Sequence, residues 1–180
     1  MVRATVFLMG LIALSACGGG GRWGHTRYYS ALDGDEEDAI ERSRDIPLED
    51  VRRDPAAHRS SFVAWFGVVS HRDVGANGQA SLRLSFRAPQ PRNLCSDAAE
   101  ETCRVTVSER TTGDFTALVT LRPDDADGEL RVWEGSLIRV YGHPTGELDT
   151  DGNPIIRAEY YRHWPPRYYV TTAARATMRR

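Results

Sequence analysis

Leu82, Leu84 and Phe86 alternate with Arg83, Ser85 and Arg87, the two-residue period of a strand buried on one face. The same alternation returns along the chain. Phe115, Ala117, Val119 and Leu121 share one side of a strand predicted over 115–121. Val105 and Val107 do so over 104–109, and Ile138 and Val140 over 136–141. Residues 62–71 form an apolar run with Val63, Trp65, Val68 and Val69, and Gly67 inside it marks a bend or bulge. Residues 155–161 read as the last long strand, and 168–171 as a short edge strand behind Pro165 and Pro166.

The connections carry turn residues. Gly75 to Gly78, Thr112-Gly113-Asp114 and "GHPTGELDTDGNP" are predicted to reverse the chain. "IPLEDVRRDP" has an early proline, then acids, then arginines, which suits a short helix ending before Pro55. One helical turn is predicted over 129–134, and another short helix over 38–44. Together these elements predict a mainly β fold: a small OB-like β-barrel of five to six strands with one or two short helices. A β-sandwich is the alternative.

Ahead of the strands lies a different pattern. Arg3 precedes an apolar run from Val6 to Leu14, and Ser15, Ala16 and Cys17 follow. Nine helical residues rise about 14 Å, roughly half the hydrocarbon thickness, so the run is too short to span a bilayer. Charge, short apolar core and small residues describe an export signal. Leu14-Ser15-Ala16-Cys17 resembles the lipobox of bacterial lipoproteins. The resemblance implies cleavage before Cys17 and acylation of its thiol and new amine, and two or more acyl chains hold a protein firmly at a membrane. Gly18 in place of an aspartate resembles the sorting signal for the outer membrane, facing the periplasm. The expected organisation is a signal peptide over 1–16, a lipidated flexible tether over 17–45, the barrel over 46–165 and a C-terminal tail over 166–180. An ordinary secretory signal with a chance cysteine is the alternative.

Composition refines this. All 23 basic residues are arginine. Loss of 1–16 removes Arg3 and takes the formal charge from −2 to −3, leaving no basic excess to hold nucleic acid. With Cys17 assigned to lipid, Cys95 and Cys103 remain as a pair, and an oxidising compartment favours their disulfide. Its nine-residue loop would stabilise the fold by about 2.6 kcal/mol. A metal site at these cysteines is the competing reading, and no histidine lies near them in sequence.

"DPAAHRSSFVAWFGVV", "GSLIRVYGHPTGE" and "AEYYRHWP" resemble the Slp family of starvation-inducible outer-membrane lipoproteins. The matching positions are Asp54-Pro55, Trp65 with Gly67, Val140 with Gly142, and Tyr160-Tyr161, within a stretch from Leu48 to Trp164. Phe66 stands where that family usually has a glycine. The resemblance implies an OB-like lipoprotein and supplies no catalytic residue.

Chemical motifs are sparse. Asp149, Asp151 and Asn153 have the spacing of a calcium loop, but Pro154 and Tyr160 occupy its glycine and glutamate positions, so a hairpin turn is expected. Neither Gly-x-Ser-x-Gly nor His-Glu-x-x-His occurs. Trp65, Arg83, Arg104, Arg139 and Tyr141 are the candidate ligand contacts, since OB barrels bind on an open face with aromatic and basic groups. Outward arginines as plain solubilising groups, and Trp65 as core, are the bland alternatives. No catalytic residue, metal or cofactor is expected. The functional expectation is a non-enzymatic binding or envelope-maintenance module, anchored through lipid. Its partner would be an envelope protein or an anionic glycan or lipid. A structural subunit of an envelope complex and a hydrolase with a non-sequential site are the other two readings.

Overall fold

The computed structural model describes residues 29–88, 92–93 and 104–177. Residues 1–28, on which the expected signal peptide and Cys17 fall, lie outside the described residues, as do Cys95 and Cys103. The chain runs α1 (Gly34–Arg42), α2 (Leu48–Arg53), β1 (Val63–Val74), β2 (Gln79–Arg87), β3 (Arg92–Asn93), β4 (Val105–Val107), β5 (Thr111–Thr120), α3 (Pro123–Asp127), β6 (Leu137–Leu148), β7 (Pro154–Trp164), β8 (Tyr169–Thr171) and α4 (Thr172–Thr177). β1-β2-β5-β7-β6 closes into a barrel, with β6 returning to pair with β1. The expected small mainly β barrel is therefore what forms, and the sandwich is not. β3, β4 and β8 make a separate three-stranded sheet.

The alternating residues fill the barrel. Leu82, Leu84, Phe115, Ala117, Ile138, Val140 and Ile156 are all buried within one cluster. Trp65 packs edge-on against Phe86 and Phe115, with ring centroids 5.7 and 5.4 Å away. Gly67 makes this possible: a Cβ there would stand 2.7 Å from Leu84 Cβ and 2.9 Å from the Phe115 ring. Leu48 and Val51 of α2 pack into the same buried cluster. The acids of α2 lie in its first turn and its arginines in the last, each favoured by the helix dipole.

A second layer covers the outside of β1, β6 and β7. Phe66, Leu137 and Trp164 point away from the barrel and pack with Val105 and Val107 of β4, and with Tyr29, Tyr168 and Tyr169. β1 is thus buried on both faces over part of its length.

Several expectations are corrected. Residues 29–45 are not tether: Asp33 caps α1 by accepting from the Glu36 amide at 2.8 Å, and the acidic run supplies the first helical turn. The helix lies on β7, and Glu36 is fully buried. Thr112-Gly113-Asp114 lies inside β5, where a bulge opposite Ser85 and Arg87 absorbs it. The helical turn expected over 129–134 sits earlier, as α3, because Pro123 supplies its preorganised start. β6 runs on to Leu148, leaving only a tight turn at 149–153. Within that turn Asp149 accepts from the amides of Asp151 and Asn153 and from Thr116 Oγ1. The short edge strand expected over 168–171 does form, as β8, and pairs in parallel with β4.

Candidate functional site

Two buried polar clusters and one seam concentrate the chemistry of the described residues. The first joins α1 to the outer wall of the barrel. The Glu36 carboxylate accepts from Leu32 N at 2.7 Å, from Arg162 Nη1 at 3.0 Å, and from the hydroxyls of Tyr29 and Tyr141, the latter at 2.6 Å. Arg162 Nη1 also donates to Ser30 O. Side-chain exposure is 4% for Arg162 and 0% for Glu36, so this pair exchanges no contact with bulk water. Burial, together with the adjacent carboxylate, pushes the Tyr29 and Tyr141 hydroxyls well above the usual tyrosine range.

Arg139 stands beside this pair, opposite Arg162 on β7 and Phe66 on β1. Its guanidinium lies 4.4 Å from the Tyr29 ring centroid, 4.8 Å from Tyr141 and 4.9 Å from Phe66. Nε and Nη1 are buried without a hydrogen-bond acceptor. Among the described residues no carboxylate pairs with Arg139.

The second cluster ties α3 to β6 and β7. His163 Nδ1 lies 3.1 Å from Asp125 Oδ1, and its Nε2 lies 3.2 Å from Ser136 Oγ. The Tyr161 hydroxyl donates to Asp125 Oδ2 at 2.6 Å, and Arg122 Nε donates to the same oxygen at 2.7 Å. Burial opposes ionisation of Asp125, yet the hydrogen bonds from His163, Tyr161 and Arg122 hold its carboxyl well below the ordinary carboxylate range. Burial and the Asp125 hydrogen bond push Tyr161 up to about 12. Serine, histidine and aspartate follow one another as in a nucleophilic triad. Ser136 is 0% exposed, however, and its Oγ already accepts from Trp133 N at 3.0 Å. In this conformation no substrate atom reaches the oxygen.

The seam lies between β5 and β7, the only parallel pair of the barrel, which holds for three residue pairs and ends at Leu118 and Arg157. Glu159 is an extra residue opposite β6, between Ala158–Gly142 and Tyr160–Tyr141. Such a bulge bends its strand. An open groove of about 660 Å³ sits at the parting, lined by Asp73, Ser81, Leu118 and Arg157 among others.

The five residues singled out from the sequence are dispersed. Trp65 is core, 4% exposed, with Nε1 donating to Ile46 O at 3.0 Å. Arg83 forms a surface ion pair with Asp151. Arg104 is exposed just ahead of β4. Arg139 and Tyr141 alone come together, and Tyr141 is fully buried with its hydroxyl committed to Glu36. Sequence reasoning missed Glu36, Arg162, Tyr29, Asp125, Ser136 and His163. Arg162 and His163 carried a usable signal: charged residues inside a strand whose neighbours Tyr161 and Trp164 are apolar.

The chain matches no protein-family model, and no curated protein is similar to it at a significant level.

Proposed function

We propose that this chain is a bacterial envelope lipoprotein, acylated at Cys17 and sorted to the outer membrane, whose barrel serves as a non-enzymatic binding or maintenance module. It stands as a distant relative of the Slp lipoproteins. The observation that carries the binding reading is the Arg139 guanidinium, a cation caged by three rings without a matching anion among the described residues. No helix of the described residues is long and apolar enough to cross a membrane, so attachment falls to the lipidated cysteine in this reading. A Cys95–Cys103 disulfide belongs to the same proposal, since export delivers the chain to an oxidising space.

Anchoring is tested by feeding a clickable fatty acid to expressing cells. Label should appear on the wild-type chain and vanish with Cys17→Ser, and mass spectrometry should find the mature protein starting at an acylated Cys17. An intact Met1 terminus without label rejects the anchor.

A second reading, hydrolysis, is favoured by the Ser136–His163–Asp125 hydrogen-bond chain. A fluorophosphonate probe decides between them: the binding reading expects Ser136 to stay unmodified in the folded protein. Stoichiometric labelling lost in Ser136→Ala would install the enzyme instead.

A further inference from the structure

We propose that Arg139 is the recognition point for a singly charged phosphate ester, free or as a lipid headgroup, taken up at the open edge of the aromatic cage. The inference rests on unbalanced charge and on which nitrogen has room. Arg139 stands opposite Arg162 across the strands, Glu36 is bonded to Arg162, and no carboxylate among the described residues pairs with Arg139. Tyr29, Phe66 and Tyr141 stabilise the Arg139 cation through their ring faces, which suits a weakly hydrated guanidinium. Rings stabilise a cation without neutralising it, so among the described residues one positive charge is left over.

The geometry also selects the anion. Nε and Nη1 are buried, and each belongs to one of the two forked edges through which a guanidinium grips a carboxylate side-on. Nη2 is the nitrogen with surface left. A phosphate ester can accept from Nη2 through one oxygen, and a carboxylate there is held to the same single contact, without its usual two-bond grip. A diester carries a single charge, which matches the surplus.

Position names the nearest source. Tyr29, one wall of the cage, stands twelve residues after Cys17, a span of at most about 40 Å. If Cys17 is acylated, the cage lies within reach of the headgroups at the anchoring surface. This lipid arm rests on the lipoprotein reading, and the soluble-phosphate arm does not.

The test uses the full-length chain in a maltoside detergent, which contains no phosphate, and follows arginine Nε–Hε resonances by NMR. Dimethyl phosphate should shift the Arg139 resonance saturably, leave Arg83 unmoved and outcompete acetate. Arg139→Gln should weaken dimethyl phosphate binding by roughly tenfold or more, as expected for loss of a charge-assisted hydrogen bond. Unchanged near-ultraviolet circular dichroism would establish that the variant is folded; the wild-type titration stands by itself should the variant not fold. Phosphatidylglycerol vesicles that compete with dimethyl phosphate assign the lipid source, and failure to compete assigns a soluble ester. An Arg139 resonance that dimethyl phosphate leaves in place, or that acetate moves equally, overturns the proposal whatever the fate of Cys17.

Discussion

At the scale of single residues, the Glu36–Arg162 pair shows how a buried ion pair is made tolerable. Desolvation of the two charges is offset only because every carboxylate oxygen finds donors: two tyrosine hydroxyls, one amide and one guanidinium. Removing one member strands the other. Glu36→Leu should therefore destabilise the fold by about 3–5 kcal/mol in urea unfolding, while the double variant Glu36→Leu/Arg162→Met should lose much less than the two single changes summed. Asp125 gives a pH signature. Its folded-state affinity for protons is depressed, so its contribution is fully present above the unfolded value of about 3.9 and is lost as pH falls toward the lower folded value. Asp125→Asn should be less stable than wild type near neutrality, and the gap should narrow below about pH 4 in thermal melts. The limits of sequence reading are visible at this scale too. Alternation correctly sends Arg139 and Tyr141 outward from the barrel, but period two reports only the side of the strand. Whether water or a second layer lies there depends on α1 and Tyr29, more than 90 residues away in the chain.

At the scale of elements, the strands were legible because half-buried sheet imposes its period directly on the residues. Leu82, Leu84 and Phe86 faced the core as their spacing required. Elements whose signal depended on distant partners were legible only in part. The helix expected over 38–44 forms as α1 but begins earlier, at Gly34, and it is the distant Arg162 and Tyr141 that explain why Glu36 enters the interior. Thr112-Gly113-Asp114 reads as a reversal, yet strand pairing with β2 outweighs local turn preference. The glycines inside strands carry a firmer message. Gly67 is a packing requirement, and Gly142 permits the backbone of β7 to approach, since a Cβ would collide with the Arg157 carbonyl oxygen. Gly67→Ala should lower stability by about 1–3 kcal/mol through overpacking against Leu84 and Phe115. Gly142→Ala should cost more, because a backbone atom cannot rotate away as a side chain can. Paired thermal denaturation curves would order the two.

At the scale of the whole molecule, two cores share one wall. The barrel interior lies on one side of β1 and the Phe66–Trp164 cluster on the other, so β1, β6 and β7 belong to both. The segment from Tyr29 to Arg42 is fixed to that wall by side chains alone, apart from the short bridge at Arg44 and Val63. A load applied to the amino-terminal segment would therefore meet these contacts before it met any ladder of strand hydrogen bonds. Optical-tweezer traces taken through the amino terminus should show a small early release near residues 29–45, then a larger rip for the barrel, and Glu36→Gln should lower the first force while sparing the second. Tension on the chain ahead of Tyr29 would loosen the Tyr29 wall of the arginine cage well before the barrel gave way, so mechanical tension and ligand grip would be governed by the same fastening.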